Sequence, residues 1–548
     1  MERPVDRSKC CKFNDTKNIT MQSARTLPVC VGLLILLFVQ CTSGKNQSQD
    51  RLGKIDFAVT GKSQAQPAFK KGLLLLHSFE YDDAAEAFAE ARRIDPAFVM
   101  AYWGEAMTYN HTLWRTQDYV GGNNILKQLA TSTEEQIAKA KTELEKDFIK
   151  GVNILYGKGN KTERDSTYAM YMASLYKKYP GNQEVAAFYS LSLLGWGVNG
   201  RQTKLFEQAA TVAKEVLEKN PQHPGALHYV IHAYDDPNHA KAALATADKY
   251  SVVAPDAGHA LHMPTHTYLA LGLWDKVVSS NVESWAATKQ RKARKKLDNN
   301  ALGYHSFHWL EYGYLQIGQK EKAMAMVDSM KQFCTTLPSP AARSHVIYLK
   351  TTYLGETGDY TGPVADISFP LNDLNILTRT EDHFVRGMNA YMKKDAAAMD
   401  KIIQLMAGER LIEEAKISGN GLRVCGGINP SMATRSDLEK AEVMELQLKA
   451  MQAWLKTDMT ATEEFLKKAT RLEAASSYAY GPPEVVKPSF EMYAEWLLEV
   501  NRPAEALAQF ELSLKAAPNR TLSVSGKKEA ERKLKSMAIH DKKSLAKL

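Results

Sequence analysis

The sequence predicts an all-α protein in which helical hairpins stack into an α-solenoid or superhelix. From Gln66 to Pro518, apolar residues recur at helical spacing in paired segments. Strand-like alternation bounded by turn residues is scarce in this stretch. Small and aromatic positions recur every 34 residues, which indicates a repeat architecture. With 548 residues, 44% of them hydrophobic, the chain can bury a large core across such repeats.

The first clear repeat covers residues 65–98. Gly72 and Ala84 take positions 8 and 20 of a 34-residue frame there, and Pro96 takes position 32. Small residues at positions 8 and 20 allow two helices to come into contact, and the proline ends the second helix. The next repeat has Gly104 at its own position 8. These positions therefore predict two helical hairpins packed side by side.

This pattern resembles the tetratricopeptide-repeat (TPR) superfamily. The resemblance covers about three quarters of the chain, clearly at 65–130 and 205–330 and loosely elsewhere. The stretch from Asn220 to Trp285 also resembles an uncharacterised histidine-rich TPR group with the motifs H-x3-H and H-x2-H-M-P-[ST]-H. The superfamily resemblance implies a scaffold that binds proteins or peptides. The smaller group implies no particular activity.

An apolar run near the N-terminus predicts a targeting segment. Val29 to Val39 is apolar, Arg25 precedes it, and the small residues 42–44 follow, which is the order of a secretory signal peptide. Cleavage would give a secreted or secretory-pathway protein, whereas an uncleaved anchor would leave the protein on a membrane. The sequence thus predicts five segments: a signal peptide or signal anchor at 1–44, a linker at 45–65, TPR-like repeats with a histidine-rich groove at 66–330, degenerate TPR-like hairpins at 331–518 and a basic tail at 519–548.

Two features fit a secreted chain. Removal of the leader would leave Cys334 and Cys425, a pair that can form one disulfide bond in an oxidising compartment. Downstream of the leader, glycosylation sequons occur at Asn46, Asn110, Asn160 and Asn519. The sequence leaves open whether the cysteines pair.

Several functional classes are disfavoured. The net charge of +8 is modest and concentrated in two stretches, so a continuous basic surface for nucleic acid is not expected. The chain has no P-loop, no dinucleotide-binding glycine motif and no G-x-S-x-G motif. Tyr229 follows His228, so the H-E-x-x-H motif of zinc peptidases is absent there. The basic stretch from Gln290 to Lys296 predicts a solvated helix face, or else a processing or docking site.

Histidines are concentrated in the middle of the chain. Nine of the 14 histidines lie between His223 and His308. His228 and His232 form an i, i+4 pair, and the same pair recurs 34 residues later at 262 and 266. Side chains four residues apart share one helix face, with Cβ atoms about 5–6 Å apart. A lone histidine such as His223 or His345 fits a hydrogen-bonded core residue, but repeated pairs require a cause.

The repeat frames place these histidines at equivalent positions. His259 and His305 take position 2; His228, His262 and His308 take position 5; His232 and His266 take position 9; and Asp235 takes position 12. By resemblance to TPR proteins, these positions of the first helix face the concave groove. Adjacent helices pack roughly 8–10 Å apart, so the imidazoles could converge on one ion or on two ions side by side. The predicted metal ligands are therefore His228, His232, His259, His262, His266, His305, His308 and Asp235.

Imidazole and carboxylate ligands suit a transition metal ion such as Zn, Cu, Fe or Mn. The first hypothesis is a secreted TPR-repeat protein whose groove holds a histidine-ligated metal and binds a protein, peptide or small ligand. The second is a metal-dependent enzyme that uses the same cluster, and the third is a metal-free scaffold for peptides. No catalytic residue is assigned.

Two prolines accompany the cluster. Pro264 lies between two candidate ligands and predicts either a kinked first helix or a helix that begins late. Pro482 and Pro483 follow Gly481, a pattern that predicts a loop between helices and no more.

Overall fold

The computed structural model describes residues 51–196, 202–417, 433–478 and 480–545. Within these ranges the predicted all-α fold is confirmed, and the sole strand pairing is the short antiparallel ladder of β1 (Asn110–His111) and β2 (Thr116–Gln117). The leader 1–44, residues 45–50 of the linker, Asn46 and Cys425 lie outside the described residues. No described helix is both long and apolar enough to cross a membrane.

Helices follow one another along the chain with short connections. The first twelve are α1 (Gln66–His77), α2 (Tyr81–Ile94), α3 (Val99–Thr108), α4 (Tyr119–Leu129), α5 (Thr133–Lys139), α6 (Glu143–Leu155), α7 (Lys161–Lys178), α8 (Gln183–Trp196), α9 (Thr203–Lys219), α10 (Pro224–Ala233), α11 (Leu244–Val253) and α12 (Gly258–His262). The next twelve are α13 (Pro264–Ala270), α14 (Trp274–Lys295), α15 (Tyr304–Gln316), α16 (Lys320–Thr336), α17 (Pro340–Thr357), α18 (Ile376–Met392), α19 (Ala396–Lys416), α20 (Arg435–Leu455), α21 (Met459–Ala475), α22 (Ser489–Glu499), α23 (Pro503–Ala516) and α24 (Thr521–Leu545).

The first hairpin packs as the glycine positions predict. The fully buried ring of Phe88 on α2 lies against Gly72 of α1 and Gly104 of α3. A Cβ atom on Gly72 would lie 2.8 Å from Cδ1 of that ring, and one on Gly104 would come closer still. Position 8 of both repeats therefore needs glycine because the neighbouring aromatic ring fills the space.

We expect alanine to have opposite effects at two helical glycines. Gly104→Ala should lower the free energy of unfolding by about 1–3 kcal/mol, because the added methyl overlaps the ring of Phe88. Gly408→Ala, in an exposed stretch of α19 with open space around it, should raise the same free energy by about 0.5–1 kcal/mol. Urea unfolding followed by circular dichroism measures both, and a shift in the same direction for the two variants would contradict the packing argument.

Two hydrophobic cores run through the solenoid and meet at α15. Trp309 and Tyr312 of this helix belong to the N-terminal core, which begins at Leu52. Phe307 and Leu310 of the same helix belong to the C-terminal core. α15 therefore joins the two halves of the repeat array.

Distant repeats also contact each other directly. Arg291 and Lys295 of α14 form ion pairs with Asp83 of α2. The backbone N–H of His259 donates to the carboxylate of Glu80 over 2.9 Å. The basic stretch thus docks within the chain itself, and the first repeat lies against the central repeats.

The segments flanking the helices are also packed. In residues 51–64, which lie in the predicted linker, Leu52 and Phe57 are buried. In the predicted basic tail, Arg520 is fully buried and pairs with Glu356 and Glu491 before α24 begins. These residues attach both ends of the described chain to the repeat array.

The described residues include three of the four predicted sequons and one of the two predicted cysteines. Asn160 and Asn519 are exposed, whereas Asn110 is 3% exposed and bonded to Lys161, so the folded chain has no room for a glycan at Asn110. Cys334 is buried on α16. Its pairing with Cys425 stays a prediction.

Candidate metal centre

Three first helices of the central repeats present the histidines. α10 bears His228 and His232, and α15 bears His305. The intervening first helix is divided at Met263 into α12 and α13, because Pro264 lacks the N–H that would continue the helix. The kink predicted at Pro264 is thus present, and it places the rings of His262 and His266 with their centres 5.2 Å apart.

Three imidazoles, His228, His232 and His259, form what we term the first triad. His228 donates its Nδ1–H to the backbone carbonyl of His77 over 2.8 Å. A carbonyl only accepts, so Nδ1 holds the proton and Nε2 holds the lone pair. This Nε2 lies 3.1 Å from Nε2 of His232 and 3.3 Å from Nε2 of His259. Three ring nitrogens therefore converge on one point.

The spacing of the first triad matches metal ligation. Nitrogens bound to one tetrahedral ion at about 2.0–2.1 Å lie roughly 3.3 Å apart. Without an ion, the single lone pair of His228 can accept a hydrogen bond from His232 or from His259, but not from both. The other ring nitrogen of His232, Nδ1, is buried without a partner. Hydrogen bonding within the first triad thus leaves polar atoms unsatisfied.

The second triad consists of His262, His266 and His305. Nδ1 of His262 donates to the amide oxygen of Asn281 over 2.7 Å, and the amide nitrogen of Asn281 is in turn bonded to Val277, which fixes the amide orientation. Nε2 of His262 therefore holds a lone pair, and it is buried without a partner. Nε2 of His305 is also buried without a partner. The ligand atoms of the second triad lie within 4.8 Å of one another.

Outer hydrogen bonds orient one or two rings of each triad. Nδ1 of His266 donates to the carboxylate of Asp235, just as His228 and His262 donate to a carbonyl and an amide. Metal-binding histidines typically use their second nitrogen in this way, which fixes the tautomer and the ring direction. Asp235 thus acts as an outer partner of His266, and it also lies within 4.8 Å of ligand atoms of His232 and His266.

Burial keeps five of the six imidazoles in the neutral form at pH 7. Burial lowers the pKa of His262 to about 3, and the neighbouring His266 adds to the shift. Burial lowers the pKa well below the usual 6.5 in four further rings, His228, His232, His259 and His305. Neutral imidazole is the form that binds a metal ion, because its lone pair is available.

The eighth predicted ligand lies apart from both triads. Nε2 of His308 is bonded to the hydroxyl of Thr352 over 2.8 Å, and its ring stacks on Tyr348. In the repeat frame, position 9 after His308 is occupied by Tyr312 instead of histidine. The third repeat therefore lacks the second imidazole that completes a triad in the two preceding repeats.

A further buried cluster, not predicted from the sequence, lies beneath the first triad. His77 donates Nε2–H to one oxygen of Glu184 over 2.8 Å, and His223 donates to the other over 3.1 Å. His77 Nδ1 accepts from Tyr229, and His223 Nδ1 accepts from the N–H of Ala226. Every ring nitrogen is already bonded, so this cluster supports the fold and orients the first triad through the carbonyl of His77.

The carboxylate of this cluster stays ionised. Burial would raise the pKa of Glu184, but the two imidazoles bonded to it hold that pKa at about 2. Burial lowers the pKa of His77, which leaves its ring neutral. Among the described residues no lysine or arginine pairs with Glu184 or Asp235. Glu184 thus carries a buried negative charge whose hydrogen bonds come from two histidines.

Aromatic rings enclose each triad. Phe79 packs on the first triad, with its ring centre 4.2 Å from that of His228, and Trp309 packs on the second, 4.4 Å from His266. His259 and His305 are the partly exposed members, whereas the other four are nearly inaccessible. The edges of the triads therefore provide the path by which an ion would enter.

The loop between α21 and α22 covers the second triad, contrary to its interpretation as a simple connection. Gly481 has a φ of +101°, and a Cβ atom there would lie 2.5 Å from Cζ2 of Trp309. Tyr480 and Pro482 join His305 and Trp309 around a cavity of about 50 Å³. The cavity can hold a molecule the size of water beside the second triad.

No protein-family model matches this sequence, and a search of curated proteins gives no match. Among solved structures, the Cut9–Hcn1 heterotetramer of APC/C is 12% identical, with a TM-score of 0.35 over 87% of this chain and 78% of that one. The human IFIT1 dimer with PPP-AAAA is 13% identical, with a TM-score of 0.35 over 74% and 89% of the two chains. The P58(IPK) TPR domain is 12% identical, with a TM-score of 0.16 over 87% and 99%.

The resemblance to the TPR superfamily rests on the stacked hairpins and their 34-residue spacing, both of which the fold retains. Membership of a histidine-rich TPR group stays a prediction.

Proposed function

We propose that this protein is a TPR-like scaffold whose groove binds a transition metal ion through histidine. The observation that supports the proposal most directly is the buried Nε2 of His262, which holds a lone pair and has no partner. A metal ion in the second triad would satisfy this atom and the equivalent atom of His305, and an ion in the first triad would satisfy the converging nitrogens there.

Charge balance supports the same proposal. Buried carboxylates are normally paired with a cation or bound to a metal. Glu184 and Asp235 are both nearly inaccessible, and their bonds go to histidines. A cation held by the triads would supply the missing positive charge. A metal-free peptide groove would leave the ionised Glu184 without a nearby cation.

Metal analysis of the purified chain tests the proposal. After treatment with a chelator and reloading with Zn²⁺, wild-type protein should retain at least about one equivalent of zinc through gel filtration. The double variant His228→Ala/His262→Ala, which removes one ligand from each triad, should retain less than about 0.2 equivalents. His308→Ala should behave like the wild type, because His308 lies outside both triads. Wild-type protein that retains no more zinc than the double variant would contradict the proposal.

A metal-dependent enzyme is the second candidate function, and one observation favours it. Each triad offers three nitrogen ligands, which is the number found in catalytic zinc sites, whereas structural sites use four protein ligands. The cavity beside His305 gives a small molecule access to the remaining position. Zinc-loaded wild-type protein that hydrolyses a panel of small esters and phosphoesters faster than metal-free wild-type protein would support this candidate. The His308→Ala variant is the control and should show the same difference between its zinc-loaded and metal-free forms.

We further propose that the chain is secreted. The basic, apolar and small segments of residues 25–44 support this location. Expression of the full chain in cultured cells tests it: recovery from the medium, lost when Leu34→Arg/Leu36→Arg interrupts the apolar run, is the expected result.

A further inference from the structure

We infer that the six imidazoles bind two metal ions side by side, one in each triad, close enough to share a bridging ligand. This inference rests on the proposed metal-binding function and specifies its stoichiometry and chemistry. The sequence left one ion and two ions equally open.

The repeat architecture generates the same ligand set twice. The first triad combines positions 5 and 9 of one repeat, His228 and His232, with position 2 of the next, His259. The second triad combines the same positions one repeat further on, and His305 supplies its position 2. A translation by one repeat therefore converts one site into the other. Equivalent ligand sets favour equivalent occupancy.

A single ion cannot use all six nitrogens. Ligand atoms on one ion at about 2.0–2.1 Å lie within roughly 4.2 Å of one another. The ligand atoms of the six imidazoles are not all that close to one another: they lie within 4.8 Å of one another in two groups of three, and His232 and His266 are the pair across the groups that also lies within this distance. In the first triad, Nε2 of His228 lies 3.1 Å from Nε2 of His232 and 3.3 Å from Nε2 of His259. These are the distances expected between nitrogens that bind the same ion, so the first triad can hold an ion without help from the second. The unpartnered Nε2 atoms of His262 and His305 then require a second ion.

The two sites are adjacent. The rings of His232 and His266, one from each triad, have centres 5.5 Å apart, compared with 4.8 Å for His228 and His232 within the first triad. Asp235 lies between them, within 4.8 Å of a ligand atom of each. Ions in paired metal sites lie about 3.5–4 Å apart and share an oxygen ligand. The contact between His232 and His266 makes the triads neighbours, as such a pair requires.

The chemistry of the pair follows from its donors. Three nitrogens leave each ion at least one further position. Phe79 packs on the first triad and Trp309 on the second, so a water-derived hydroxide or another small oxygen ligand would be the bridge between ions bound there. The cavity beside His305 admits molecules of that size. The site therefore suits activation of water or of a similarly small oxygen molecule.

Zinc stoichiometry tests the number of ions. Wild-type chain titrated with Zn²⁺ should bind two equivalents, whereas His259→Ala and His305→Ala should each bind one. These two variants form a matched pair, because they remove position 2 of the two triads, and both residues lie at the partly exposed edge where substitution disturbs the fold least. His308→Ala should still bind two. One equivalent in the wild type would overturn the inference and leave the proposed function intact, whereas none would overturn both.

Loading with Cu²⁺ tests the proximity of the ions. Two copper ions that share a bridge couple their spins, so wild-type protein should hold two copper ions yet give an electron paramagnetic resonance signal that integrates to much less than two. His259→Ala and His305→Ala should each regain the full signal of one isolated ion. Two ions with a full uncoupled signal would overturn the shared bridge. The wild-type measurement needs no substitution, so it does not depend on the folding of any variant.

Discussion

Metal-free protein is expected to lose about 6 kcal/mol of unfolding free energy when the pH falls from about 7.5 to about 5. Three histidines whose rings are wholly or largely removed from water account for this figure. Burial lowers the pKa of His262 and His308 to about 3 and that of His345 to about 4, from the usual 6.5. In the unfolded chain these rings take up protons below pH 6.5, but in the folded chain they do not.

The sign follows from proton uptake. Between the folded and unfolded pKa values the unfolded state binds more protons, so acid favours unfolding. The stabilisation is complete above pH 6.5 and declines as the pH falls toward the folded values, by about 2 kcal/mol for each ring at pH 5. Four further imidazoles shift in the same direction and add to the loss. Buried carboxyls such as Glu311, whose pKa burial raises, subtract from it.

Urea unfolding of chelator-treated protein at several pH values measures the effect. The double variant His308→Gln/His345→Gln is the control, because it removes two of the three rings and leaves both triads intact; its pH dependence should be smaller by about 4 kcal/mol. Carboxylates with a lowered pKa, such as Glu184, lose their contribution only below about 4.5, so they do not disturb this window. A urea midpoint that stays constant from neutral pH to about pH 5 would contradict the buried neutral state of the rings.

The fold was predictable from local spacing because each hairpin is defined by nearest-neighbour contacts. Gly72 and Gly104 recur at position 8 because Phe88 fills the space between two helices, and such a contact leaves a periodic mark in the sequence. The same 34-residue period predicted that the histidines lie on the first helix of each repeat, at positions 2, 5 and 9. The assignment of His228, His232, His259, His262, His266 and His305 to one neighbourhood could therefore be made without coordinates.

What could not be predicted depends on contacts across many repeats. His77 and Phe79 lie about 150 residues before His228, yet one supplies the carbonyl that orients it and the other packs on its ring. The ion pairs of Arg291 and Lys295 with the first repeat help bring these segments together. No short-range sequence pattern predicts this contact between the first repeat and the central repeats. The buried Glu184 and the loop at Gly481 escape prediction for the same reason.

The grouping of the ligands also required the structure. The sequence suggested that each i, i+4 pair acts as a unit, which is correct, but the third member comes from position 2 of the following repeat. His308 was predicted as a ligand from its position 5 alone. It lies outside the triads because Tyr312 occupies position 9 of its repeat, and its ring bonds Thr352 instead.

Glu184→Gln is expected to destabilise the protein by about 2–4 kcal/mol and to weaken metal binding in the first triad. Glu184 accepts N–H donors from His77 and His223 with its two oxygens. Glutamine keeps one acceptor and places an amide N–H against the other donor. His223 cannot change its tautomer to relieve this, because its Nδ1 already accepts from the N–H of Ala226.

The effect on the metal site arises through position and charge. Displacement of His77 moves the carbonyl that accepts from Nδ1 of His228, so Nε2 of that ring no longer points at the other two nitrogens. The substitution also removes one buried negative charge that offsets the ions. Glu90→Gln is the matched control, since Glu90 is exposed and pairs only with Arg93 one turn away, and it should change neither property. Urea unfolding and zinc titration measure the two effects. A variant that loses stability but binds both zinc ions as tightly as the wild type would show that the buried cluster supports the fold without orienting the first triad.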